Sequence, residues 1–145
     1  MSFLSSFDIS ASGMTAQRLR LDIAAQNIAN IETTKTASGT PYRRKLVVLE
    51  ERRPSSFHAT LQSIYKKSTP RGVIAKQIIE DKSDLKAVYN PEHPDADEEG
   101  YVHMPNVDLI QETADGMAAS RSYEANITAF NALKLMSQKA LEIGK

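Results

Sequence analysis

Asp95, Asp97 and Glu99 alternate ahead of Gly100, the spacing with which an EF-hand loop opens: acids at positions 1, 3 and 5 and a glycine at 6. The twelfth position, where a bidentate Glu must close the calcium shell, is Asn106, and Pro94 and Pro105 stand where flanking helices should run. The pattern therefore predicts an exposed acidic turn with no metal. His93 and His103 straddle that turn without helical phasing and read as turn histidines, not ligands. No Ser sits in a G-x-S-x-G elbow, no Gly-rich loop follows a strand, no carboxylate pair is framed by His, and Cys is absent. The sequence thus predicts no enzyme activity, no catalytic residues and no cofactor.

Two basic groups remain, Arg43-Arg44-Lys45 and Arg52-Arg53, with Glu50 and Glu51 between them. The aromatics Phe57 and Tyr65 are not interleaved with them, and 18 basic residues balance 18 acidic ones. That argues against nucleic-acid binding, which needs a basic excess or a segregated basic face; a solvated strand end is the expectation. Asn27, Asn30, Asn126 and Asn131 fall in stretches of helical pattern, where Asn is a mediocre former. They are either surface polar residues or buried pairs that fix register between packed helices.

These residues are carried by three stretches of different character. All six prolines lie between residues 41 and 105. Over 3–32, Phe7, Met14, Leu21 and Ile28 recur every seven residues, with Leu4, Ala11 and Ala25 beside them, which predicts an amphipathic helix with coiled-coil potential. Arg18 interrupts the seam, and Gly13 either breaks the helix or allows a close approach. Over 106–143 a stripe runs Leu109, Gly116, Ser120, Tyr123, Ile127, Phe130 and continues Leu133, Met136, Ala140, Ile143, with Ile110, Ala114, Met117 and Ala125 adjacent. The apolar surface wraps much of this helix, so burial on several sides is expected. Asn106 or Asp108 caps its start and Gly144 its end. Between the helices, 44–50, 72–80 and 85–89 read as strands and 58–67 as either a helix or a strand. The fold class is α+β: long N- and C-terminal helices forming a coiled-coil-like pair, with a small β-rich middle.

No apolar run approaches the roughly 20 residues needed to cross a bilayer, so no direct membrane insertion is expected. The first charge is Asp8, so the basic start of a cleavable secretory signal is missing.

Ser10-Ala11-Ser12-Gly13-Met14-Thr15-Ala16-Gln17-Arg18-Leu19-Arg20-Leu21-Asp22, followed by Asn27-Ile28-Ala29-Asn30, resembles the N-terminal signature of flagellar rod, hook and hook-associated proteins. Ala119-Ser120-Arg121-Ser122-Tyr123-Glu124-Ala125-Asn126 resembles their C-terminal motif. Pro41-Tyr42-Arg43-Arg44-Lys45, His93-Pro94-Asp95-Ala96-Asp97 and Pro105-Asn106-Val107-Asp108-Leu109 narrow the resemblance to the proximal rod group of the basal-body rod family.

The resemblance implies a structural subunit of the bacterial flagellar basal body. It implies export from the cytoplasm through the flagellar type III apparatus without a cleaved signal, and assembly in the periplasmic rod with other rod subunits, the rod-base adaptor protein and copies of itself. It also implies an N-terminal assembly helix over 1–35, a β-rich middle over 36–105 and a C-terminal assembly helix over 106–145. The expected assembly residues are Phe7, Gly13, Met14, Leu21, Asn27, Ile28, Asn30, Arg121, Tyr123, Asn126, Phe130 and Leu133. The competing expectation is a cytoplasmic adaptor or chaperone that offers a two-helix groove to a partner.

Overall fold

The computed structural model describes residues 3–52, 61 and 72–143. Among the described residues the elements run, in chain order, α1 (Phe3–Ala29), β1 (Lys45–Glu51), β2 (Val73–Glu80), β3 (Lys86–Tyr89), β4 (Tyr101–Met104) and α2 (Leu109–Ile143). The α+β architecture is the one the sequence predicts. The stretch 58–67, Leu61 apart, and Gly144 lie outside the described residues, as do the side chains of Phe3 and Leu4.

α1 ends three residues earlier than its pattern suggests, because Asn30 closes it. The Asn30 backbone N–H donates to the carbonyls of Gln26 and Asn27, and its side-chain amide donates to the Gln26 carbonyl at 2.8 Å. Bonds to the last carbonyls are what a helix C-terminus needs. α2 starts at Leu109 because Asp108 is its N-cap: Oδ1 accepts the backbone N–H of Ile110 at 2.9 Å and of Gln111 at 3.3 Å, the geometry of a carboxylate cap. Asn106, the other candidate, is engaged elsewhere.

β1 pairs with β2, and β3 with β4, as two separate two-stranded sheets. β1 and β2 are antiparallel, since Arg52 N–H reaches the Gly72 carbonyl at one end and Asp81 N–H the Arg44 carbonyl at the other. In the second sheet Lys86 faces Met104 and Tyr89 faces Tyr101. β4, which the sequence pattern did not show, exists because Asp97 closes a hairpin. Its carboxylate accepts the backbone N–H groups of Glu99 and Tyr101, and Gly100 supplies the left-handed φ of 81°. The sequence reading of an acidic turn applies here. Asp95 is tied to Thr34 Oγ1 at 2.8 Å and to the Lys35 ammonium at 3.8 Å.

The chain falls into two compact units. One comprises Met1–Leu19, Leu49–Lys76 and Ala119–Lys145; the other comprises Arg20–Val48 and Gln77–Ala118. The buried apolar side chains are few and mostly small: Ala16, Ile23, Ala24, Tyr42, Val102, Val107 and Ala119. Small residues let backbones approach closely but bury little area each, so the core among the described residues is thin. No described helix is long and apolar enough to cross a membrane.

Candidate assembly surfaces

In the second unit, α1, the entry to β1 and the first turns of α2 converge on one amide. Asn27 is 1% exposed. Its Nδ2 donates to the Lys45 carbonyl and to Glu112 Oε2, each at 2.9 Å. Its Oδ1 accepts the Tyr42 hydroxyl and the Lys45 backbone N–H, also at 2.9 Å. Two donors and two lone pairs are the full capacity of the group, so the burial of Asn27 is completely compensated. It pairs with no other Asn. Of the two readings open from sequence, neither a surface residue nor an Asn pair describes it: the amide joins a helix to a strand and to a second helix.

Arg44 stands beside it, buried, with Nε on Glu112 Oε1 and a guanidinium N–H donating to Asp115 Oδ2 at 3.0 Å. This corrects the expectation that the basic strand end is solvated. A buried charge needs a partner, and Glu112 and Asp115, three apart on one face of α2, provide two. Asn106 Oδ1 accepts the Arg44 backbone N–H at 2.8 Å while its amide donates to the Asp81 carbonyl and Ser83 Oγ. Burial pushes the Tyr42 hydroxyl above its ordinary pKa, with Glu112 and Glu80 adding to the effect. A raised pKa means the folded chain holds that proton more tightly. Its contribution to stability is complete below the unfolded value of about 10 and is lost as pH rises through the folded one. Asp81 is shifted down, chiefly by the Ser83 backbone N–H. Arg44, Tyr42, Glu112 and Asn106 were not singled out as assembly residues from sequence; the i, i+3 acids of α2 were the one signal that a cation must meet them.

In the first unit, α1 and α2 meet at Phe7, Gly13, Asn126 and Phe130. The Phe7 and Phe130 rings pack edge to face with centroids 4.9 Å apart. A Cβ on Gly13 would lie 2.7 Å from Asn126 Oδ1, so glycine is the residue that lets this side chain against α1. The Asn126 amide donates to the Ser122 carbonyl at 2.8 Å. Ser12 Oγ receives the Val73 backbone N–H at 3.1 Å and donates to the Ile9 carbonyl. Gly72 sits against that hydroxyl with φ of 79°. A groove of about 480 Å³ lies between α1 and the sheet, lined by Ala11, Ser12, Thr15, Ala16 and Val73 among others.

The heptad residues Met14, Leu21 and Ile28 are half-buried, as are Tyr123 and Leu133, while Arg121 and Arg18 face solvent. The deepest positions of α1 are instead Ser10, Ala16, Ile23, Ala24 and Asn27, a line rotated from the seam that spacing suggested. On α2 the expected burial on several sides is not met within the chain. Leu109, Ile110 and Met117 are exposed, and so, toward the C-terminus, are Leu135, Met136, Leu141 and Ile143. Among the described residues no three His, Asp or Glu side chains gather as a metal site.

Comparison with known proteins bears on both helices. Residues 7–35 match the family described as "Flagella basal body rod protein", and residues 98–143 match "Flagellar basal body rod FlgEFG protein C-terminal". The chain is 48% identical to "Flagellar basal-body rod protein FlgC" of Bacillus subtilis, with all of both chains covered. It is 41% identical to the protein of that name from Borreliella burgdorferi, over 99% of this chain and 98% of the relative. It is 40% identical to the one from Salmonella typhimurium over the full length of both.

Proposed function

Because the chain belongs to the FlgC family of flagellar basal-body rod proteins, a family of structural subunits, we propose that it polymerises through α1 and α2 into the axial rod that carries torque from motor to hook. The observation that supports this most strongly is the bare apolar surface of α2. Met136 is 63% exposed, Leu141 73% and Ile143 86%. Large apolar side chains left bare around several sides of a helix mark surfaces that are covered in the working assembly. Contacts made head to tail that do not close on themselves generate a helical array.

In this reading the helices over 1–35 and 106–145 are the assembly parts, pairing with each other as a coiled coil that packs against neighbouring subunits, and the middle over 36–105 is what they carry. Phe7, Gly13, Asn126 and Phe130 set how closely α1 and α2 approach. Met14, Leu21, Ile28, Tyr123 and Leu133, half-buried in one chain, gain their remaining burial from adjacent subunits, as does Arg121. Asn27 and Asn30 fix the end of α1. The subunit acts mechanically and has no catalytic role. It reaches the periplasmic part of the rod through the flagellar type III apparatus, without cleavage, and meets other rod subunits and the rod-base adaptor there. A chain without disulfides has no covalent cross-link to undo before threading a channel.

The reading is tested with a Leu135→Ser, Met136→Ser, Leu141→Ser variant in the native host. These side chains are exposed in the isolated subunit, so the variant keeps wild-type helicity by circular dichroism. It is expected to abolish motility and rod formation. Normal swimming by this variant would contradict the reading.

A further inference from the structure

In the first unit α1 and α2 run antiparallel, since Phe7 meets Phe130 and Gly13 meets Asn126. From that register the two helices end unevenly. The described part of α1 begins at Phe3, about one turn before Phe7, whereas α2 continues about three and a half turns past Phe130 to Ile143. At a helical rise of 1.5 Å per residue, the end of α2 overhangs the described start of α1 by about 13 Å. Every residue from Gln138 to Ile143 is exposed. Met136, Ala140 and Ile143 fall at i, i+4 and i+7 and form one apolar stripe along the overhang. Lys139 flanks that stripe and meets Glu142 of the same helix at 2.7 Å, an exposed pair that costs little to exchange for another.

The groove between α1 and β2, in the same unit, has the complementary character. Ala11, Ala16, Leu19, Val73 and Ile74 are among its lining residues. Its hydroxyls are already engaged: Ser12 Oγ donates to the Ile9 carbonyl and accepts the Val73 N–H, and Thr15 Oγ1 donates to the Ala11 carbonyl. The groove therefore leaves these polar groups satisfied when water is expelled from it, which suits the apolar stripe of a helix. Asp8, on the helix side, is exposed and without a partner among the described residues, and Arg52 lines the strand side. These opposite charges set which way round a helix lies in the groove, with its Lys toward Asp8.

We propose that the overhanging end of α2, Met136 to Ile143, docks in the groove between α1 and β2 of a second copy of this chain, with Lys139 beside the second copy's Asp8. The contact joins two different surfaces, so each copy keeps one free groove and one free helix end, and the contact can repeat from copy to copy without closing. Burial of the stripe supplies the affinity, and the Lys139–Asp8 pair fixes the orientation. This contact rests on the rod reading only in supposing that copies meet as neighbours. Its test uses the purified full chain and no flagellum, so motility remains a separate measure of that reading.

The chain has no Cys, so single thiols report the contact. Ala11→Cys places one in the groove, Ile143→Cys places one on the α2 stripe, and Glu124→Cys, in the middle of α2, serves as the control. Two purified full-length variants are mixed in equal amounts and oxidised with copper–phenanthroline, and a mixed disulfide then joins two copies. Ala11→Cys with Ile143→Cys should give about tenfold more mixed dimer than Ala11→Cys with Glu124→Cys, because docking raises the effective concentration of the first pair of thiols alone. Asp8→Lys in the groove chain should lower that yield about fivefold, the upper range for an exposed ion pair, and Lys139→Asp in the other chain should restore it. All the substituted residues are exposed, and circular dichroism verifies that each variant is folded. Three results would overturn the proposal: a mixed dimer no more abundant than the control, a yield that Asp8→Lys leaves unchanged, or a yield that Lys139→Asp does not restore. Any of these, together with a serine variant of α2 that cannot swim, would discard this contact and keep the rod reading.

Discussion

Asn27 shows how much a single amide can fix. Four hydrogen bonds of 2.9 Å link it to Tyr42, to both backbone groups of Lys45 and to Glu112. Replacing it with Ala leaves the Tyr42 hydroxyl, a strand N–H and C=O, and a buried carboxylate short of a partner. Each buried group left unsatisfied costs about 1–3 kcal/mol, partly relieved by entering water. Asn27→Ala should therefore lower unfolding stability by about 3 kcal/mol in urea titration. Asn27→Asp, nearly isosteric, should be at least as damaging because it sets a second carboxylate against Glu112. Wild-type stability in either variant would show that the node contributes little. Arg44 follows the same logic from the other side. Its charge is tolerable inside because Glu112 and Asp115 meet it, and removing one partner of such a pair is worse than never having built it.

At the scale of elements, the contact between α1 and α2 in the first unit turns on Gly13. Alanine there gains about 1 kcal/mol of helix propensity, but its Cβ would stand 2.7 Å from Asn126 Oδ1 and force that side chain to turn. Gly13→Ala should thus be neutral or destabilising alone and stabilising, by up to about 1 kcal/mol, in an Asn126→Ala background. Thermal denaturation of the four members of this cycle measures the coupling; strict additivity would remove Asn126 as the reason for the glycine. Both residues were legible in the sequence, Gly13 as a glycine inside a helical pattern and Asn126 as an Asn inside another. Helix and strand identities were legible too, because periodicity and β-branched runs are local signals. The line of deepest burial along α1 was not. Heptad spacing marks Phe7, Met14, Leu21 and Ile28, yet within one chain Ala16, Ala24 and Asn27 lie deeper. Depth depends on what packs opposite, and small side chains permit the close approach that large ones prevent. β4 escaped notice for a related reason, since four residues stabilised by a turn carboxylate and a cross-strand partner carry no period of their own.

For the whole molecule, what stands out is apolar surface that one copy does not cover. Leu135, Met136, Leu141 and Ile143 of α2 are all more than half exposed, and the buried core is built largely from small residues. A subunit of this composition gains stability when its neighbours complete its burial. The balance of charges fits the same picture, since a chain that packs among copies of itself is not opposed by net self-repulsion. The absence of Cys from the sequence opens a direct test of where α2 ends up. A single Leu141→Cys substitution places the one thiol of the chain on the proposed assembly face. Maleimide labelling of that thiol should be fast in the dilute purified subunit and strongly suppressed in intact basal bodies isolated from a motile strain carrying the variant. Equally fast labelling in both would mean that this face of α2 stays in water within the rod, and would contradict assembly through the terminal helices.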